Sequence, residues 1–245
     1  MALNEAVNCL MKVEREVRER ITLGVIPNGL MNDFAFFWGF TDKDIEYAVE
    51  SIKQRRVRKI DAGCISYINR QGGKCRKYFL NCVDVGLVAE IQRLRKNIRR
   101  VFWSRKLSLL LALVIIFFKR TEWKMKYCIN YEEEEHRVMS LCVGSALGFG
   151  QTPNAVPYSG MLDVTVIMHS PLGRLTYGIG MFLLGRILNN KDIKPYRCHE
   201  LTISCPKKTP FSVDGHELRG IDTSAEPARL SVEKEAINFI IEKYS

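Results

Sequence analysis

The spacing of apolar residues changes once along this chain, and that change restricts it to a two-part mixed architecture. Ahead of it, Leu3, Val7, Leu10, Val13 and Val17 recur at three- and four-residue steps, which predicts a helix running to about Arg20. A further helix is expected to begin at Asp42, with Ile45, Ala48, Val49 and Ile52 on one side. Past the basic stretch Lys53 to Lys59, short strands take over. They are predicted over Ile60 to Ile68, Cys75 to Val83 after a Gln71-Gly72-Gly73 turn, Lys124 to Asn130, Val138 to Val143 and Met161 to His169. Later ones are Glu200 to Cys205, Phe211 to Val213, Ala228 to Val232 and Ile237 to Ile241. Helices over Val88 to Phe102, Leu107 to Phe118 and Leu172 to Leu188 interrupt them. The expected class is α+β in two domains: a truncated α/β domain over residues 1–57, then an antiparallel β-sandwich with helical insertions over 58–245.

The word truncated rests on Thr22 to Ile26, an apolar run rich in branched residues that Pro27-Asn28-Gly29 ends and a helix from Asn32 or Asp33 follows. A buried strand of that kind needs parallel neighbours, and no earlier strand is available to pair with it. The α/β part is therefore expected to be cut short at its start.

Composition removes several classes. A formal charge of +10 asks for something negative nearby, such as nucleotide, phospholipid headgroup or nucleic acid. The eight cysteines contain no Cys-x-x-Cys pair, so they read as reduced thiols of a cytosolic protein, without a metal site. The amino terminus has no basic segment followed by an apolar one, unlike a signal peptide. Leu107 to Phe118 falls well short of the roughly 20 apolar residues a spanning helix needs.

Pro27-Asn28-Gly29-Leu30-Met31-Asn32-Asp33-Phe34-Ala35 is a strand-to-helix turn with two readings. Its backbone N–H groups could face an anion, or Asn32 or Asp33 could merely cap the next helix. The stretch resembles the Pro-x-Gly-Thr-x-Asn-Asp-Phe-Ala-Arg motif of bacterial diacylglycerol-kinase-like lipid kinases, a family that includes sphingosine kinases. Further resemblances follow in order. Leu3-Asn4-Glu5-Ala6-Val7-Asn8 is similar to the helix after the family's Gly-Gly-Asp-Gly-Thr phosphate loop. Asp61-Ala62-Gly63 is similar to its Asp-x-Gly, and Phe79-Leu80-Asn81 with Gly86 to its Phe-x-Asn and Gly. Gly148 to Ala155 with Gly160-Met161-Leu162-Asp163-Val164 resembles the Gly-rich and Asp-Gly-x-x-Asp signature, and Val213-Asp214-Gly215 the start of Asp-Gly-Glu.

The resemblance implies transfer of the ATP γ-phosphoryl group to a lipid hydroxyl such as that of diacylglycerol, with ATP and Mg2+ as cofactors. It implies nucleotide between the domains, held by Gly29, Asn32, Asp33, Asn4 and Glu5, and lipid in an apolar cleft of the sandwich. Asp214, His216 and Glu217 stand at the implied catalytic position. Several positions depart from the family pattern. Met1 and Ala2 stand where the phosphate loop should end, Leu30 and Phe36 replace a threonine and an arginine, and Ser159 replaces the aspartate expected at the structural metal. His216 takes the place of a glutamate, with Glu217 one residue on, a step that turns a strand side chain to the opposite face unless a bulge restores it. By itself Asp214-Gly215 reads as a hairpin turn, and His216 as a solvated histidine. Low kinase activity is the expectation for this chain.

Two surface features remain. Ile91, Leu94, Ile98 and Val101 share one side of a helix whose other sides carry Arg93, Arg95, Lys96, Arg99 and Arg100, a pattern that suits an anionic membrane surface or an ordinary solvated face over a core. Glu132 to Glu135 could attract a cation, but contiguous carboxylates do not all converge on one ion, and a solvent-exposed turn is expected. The expected partners are a lipid substrate, the cytoplasmic face of a membrane and a second copy at the exposed strand edge. The competing functions are a non-catalytic lipid-binding protein and, last, a nucleic-acid-binding regulator, for which no helix-turn-helix pattern is present.

Overall fold

The computed structural model describes residues 2–27, 33–40, 45–101, 121–147, 152–169 and 186–242, with 171, 174, 177, 178, 180, 181 and 184 between. The first part holds α1 (Ala2–Leu10), α2 (Arg15–Arg18), β1 (Thr22–Leu23), α3 (Asp33–Phe37) and α4 (Ile45–Lys53). Then come β2 (Val57–Asn69), β3 (Lys74–Phe79), β4 (Cys82–Gly86), α5 (Leu87–Val101), β5 (Trp123–Ile129), β6 (Glu132–Gly144) and β7 (Leu162–Met168). The chain continues with β8 (Ile193–Cys198), β9 (Glu200–Ser204), β10 (Phe211–Val213), β11 (His216–Glu217), β12 (Ile221–Asp222) and β13 (Ala228–Ile240). The predicted helix over 107–118 lies outside the described residues, as does most of 172–188.

Strands β2 and β3 separate two cores, because alternate side chains on a strand point to opposite faces. Ile65 and Phe79 enter the sandwich core with Val85, Met125, Leu141, Leu201 and Leu230. Ile60, Ala62, Cys64, Tyr78 and Leu80 enter a second core under α1, α3 and α4, where they meet Val7, Leu10, Phe34, Trp38 and Phe239. Gly63 stands opposite Phe79, and a Cβ on it would fall 2.1 to 2.6 Å from that ring. Only a bare backbone admits the phenyl group there.

Strand β13 serves both cores. Its Leu230 pairs with Ile65 and its Ile237 with Ile60, and between them the register shifts across a bulge after Glu233. Asp61 holds that bulge: Oδ1 accepts from the Glu235 amide at 2.9 Å and Oδ2 from the Gly160 amide at 2.6 Å.

Five sequence expectations change. Helix α1 ends at Leu10, a separate short α2 follows at Arg15–Arg18, and Val13 and Val17 are exposed, so the predicted stripe is not buried along its length. Thr22 to Ile26 shrinks to β1, whose parallel neighbour is β13, with Thr22 opposite Asn238. The missing partner comes from the far end of the chain, which local pattern cannot show. Cys75 to Val83 breaks into β3 and β4 at Leu80 and Asn81, where the backbone turns to serve Asp214. Ala228 to Val232 and Ile237 to Ile241 fuse into the bulged β13. Glu132 to Glu135 belongs to β6. The turn is Asn130-Tyr131, with φ of +52° and +69°, and the acidic run pairs across to Lys124 and Lys126.

Candidate functional site

Asp214 and Gly215 form the tip of the β10–β11 hairpin, with φ of +46° and +74° and Val213 opposite His216. Both central residues at positive φ is the conformation an Asp-Gly dipeptide favours. The Asp214 carboxylate then turns back on the chain. Oδ1 accepts from the amides of Asn81 at 2.9 Å and Cys82 at 3.1 Å. Oδ2 accepts from the Leu80 amide at 3.0 Å and from Asn4 Nδ2 at 2.7 Å. Burial raises the carboxyl above its ordinary value, and these four donors pull against that rise.

Asn4, buried on α1, also donates to the Tyr78 carbonyl at 3.0 Å. One turn on, Asn8 donates to the same carbonyl at 2.9 Å and accepts from the Tyr78 amide at 2.9 Å. The helix is thus fastened to the outer edge of β3 by side-chain amides that satisfy strand groups no neighbouring strand reaches. The hairpin tip, the β3–β4 break and α1 meet at one point, between the two cores.

Beside this junction two polar atoms have no partner among the described residues. Asn81 Oδ1 and Ser145 Oγ are shut off from solvent and make no hydrogen bond. The Ser145 amide donates to the Asn81 carbonyl at 2.9 Å, which keeps the two residues adjacent. On the α5 side of the turn lies a cavity of about 80 Å³ lined by Gln92, Arg93, Asn97, Ser212, Gly215 and Glu217. Its floor is a buried polar chain, in which Gln92 Nε2 donates to Asp84 Oδ2 at 2.7 Å and Ser212 Oγ to Gln92 Oε1 at 2.6 Å.

The residues singled out from sequence fall into three groups. Asp214 and Asn4 meet directly. Glu5 is exposed on α1, His216 is half-buried on β11, and Glu217 is exposed and paired with Arg219 at 2.7 Å and Arg93 at 3.9 Å. Gly29 and Asn32 lie outside the described residues, and of Asp33 the backbone alone is described, as the first residue of α3. Asp163 faces Arg197 at 3.1 Å, Ser159 Oγ donates to the Met161 carbonyl, and among the described residues no three His, Cys, Asp or Glu side chains converge. That donor set does not fit the family's structural metal. Sequence reasoning quoted Asn8 within the first helix but gave it no role, and passed over Asp84 and Ser145. A charged residue inside the apolar run Cys82 to Gly86 was the available signal for Asp84, and Ser145 carried none.

Two family signatures match the chain. Residues 2–65 match the diacylglycerol kinase catalytic domain. Residues 81–241 match the YegS C-terminal NAD kinase beta sandwich-like domain. The diacylglycerol kinase of Bacillus subtilis (strain 168) is 24% identical over 221 residues, a match covering 87% of this chain and 67% of that protein. A solved structure described as a "putative diacylglycerol kinase" from Bacillus anthracis str. Sterne superposes with a TM-score of 0.73 at 19% identity, over 98% of this chain and 75% of the other. A second from the same source gives 0.69 at 20% identity, over 98% and 74%. These superpositions concern the fold.

Proposed function

Because the chain belongs to the diacylglycerol-kinase-like lipid kinase family, we propose that it transfers a phosphoryl group from ATP to a lipid hydroxyl of the diacylglycerol kind, and that this chain by itself does so slowly. The transfer site is the junction of α1, the β3–β4 break and the Asp214–Gly215 turn. The orphan atoms of Asn81 and Ser145 fit a ligand there, since buried polar groups are otherwise almost always paired. A bound nucleotide would supply the phosphoryl group and bring Mg2+ on its phosphates; the protein's part is to orient both substrates and to move the hydroxyl proton.

One observation supports the slow rate. Every oxygen of Asp214 already accepts two hydrogen bonds, and Glu217 is engaged by two arginines, so neither carboxylate is free to take a proton from an alcohol. His216 stands where the family carries glutamate. With a lipid as acceptor the chain would work at a membrane surface, although no described helix is long and apolar enough to cross one. Its basic α5 suits the anionic cytoplasmic face, and the edge of β1 that no described strand pairs suits a second copy of the chain.

The test is phosphorylation of diacylglycerol in mixed micelles by the purified chain with labelled ATP, alongside nucleotide and lipid binding by calorimetry. Binding of both with turnover far below the median enzyme rate of about 10 per second is expected. Turnover at or above that rate overturns the slow-transfer reading, and lipid binding without nucleotide binding favours the non-catalytic alternative.

A further inference from the structure

We infer that Ser145 Oγ and Asn81 Oδ1 together receive an uncharged hydroxyl group of a ligand, and so select what enters the junction; the inference rests on the kinase reading above. Ser145 is 1% exposed, directly follows β6, and its hydroxyl has no hydrogen-bond partner among the described residues. Asp214 has four donors, and Asn4 and Asn8 both reach β3.

The root of Asn81 is held on both sides. Its amide is taken by Asp214, and its carbonyl accepts from the amides of Ser145 at 2.9 Å and Ala146 at 3.2 Å. Neither residue can relax far to find a partner of its own, and a buried group without a partner carries the full loss of its hydration. Such a loss is tolerated where a ligand restores the bond.

The donor and acceptor types identify the ligand group. A side-chain carbonyl only accepts, whereas a serine hydroxyl donates and accepts. An alcohol, which does both, complements the pair. A phosphate oxygen only accepts, so it finds no donor in Asn81 Oδ1. The group is therefore a hydroxyl of one of the two substrates, either the ribose of the nucleotide or the alcohol of the lipid.

The experiment compares the whole chain with its Ser145→Ala variant in calorimetric titrations of ADP, of 2′,3′-dideoxy-ADP and of short-chain diacylglycerol in micelles, and records both melting temperatures. Removing an unsatisfied hydroxyl should leave Tm unchanged or raise it by roughly 2–4 °C. Loss of one hydrogen bond to ligand should weaken binding about three- to ten-fold. A weakened ADP, matched by dideoxy-ADP on the unaltered chain, assigns the ribose; a weakened diacylglycerol assigns the lipid alcohol. Unchanged affinity for both in Ser145→Ala, while the unaltered chain binds both, overturns this inference and leaves the kinase reading standing. A lower Tm with unchanged affinities makes Ser145 structural. An unaltered chain that binds neither ligand overturns the kinase reading and this inference with it.

Discussion

At the scale of single residues, the motif positions act mainly as ties between segments distant in sequence. Asp214 joins a hairpin tip to α1 and to three successive amides, and Asp61 joins β2 to the β13 bulge and the turn at Gly160. Replacing Asp214 with alanine leaves those donors buried and unpaired, so Asp214→Ala should lower unfolding stability by about 3 kcal/mol or more in urea titration. Gly63→Ala forces a methyl into the Phe79 ring and should cost about 1–3 kcal/mol. Adding Phe79→Leu should recover part of that loss, and a double-mutant cycle with no coupling would mean the two positions do not press on each other.

Among the elements, the β5–β6 hairpin shows how cross-strand chemistry outweighs composition. Four consecutive glutamates read as an exposed turn, yet Glu133 and Glu135 meet Lys126 and Lys124. Glu134, on the other face, accepts from Tyr127 at 3.0 Å and Tyr196 at 3.1 Å. The turn itself places Tyr131, fully exposed, at a φ of +69°. Glycine takes that conformation without a Cβ penalty, so Tyr131→Gly should raise stability by about 0.5–1 kcal/mol in thermal or urea unfolding.

Across the whole molecule, β2 and β13 bind the two cores into one unit. Their shared ladder runs from Arg229 opposite Ser66 to Ile240 opposite Val57, and β1 hangs on its far end. Unfolding of the helical side should therefore expose the same strands that close the sandwich. Calorimetry is expected to show one transition, and a chain ended before Ala236 should lose the packing of α1 and α3 as well as β1. Two resolved transitions in the full chain would mean that the wall between the cores does not couple them.

The sequence alone determined what depends on neighbours in the chain. The helix predicted from Val88, the strand at Lys124, the Asp214–Gly215 turn and the class of the fold all follow from side-chain period and turn chemistry, which act over a few residues. The ordered motifs carried the family as well. Tertiary structure alone decided the parallel partner of β1, the break at Leu80 that frees three amides for Asp214, and the sharing of β2 by two cores. It also decided that Ser145, an unremarkable serine after an apolar strand, would be buried without a partner. Each of these depends on residues scores of positions apart meeting in space, and no local period records which distant segment will supply a hydrogen bond or withhold it.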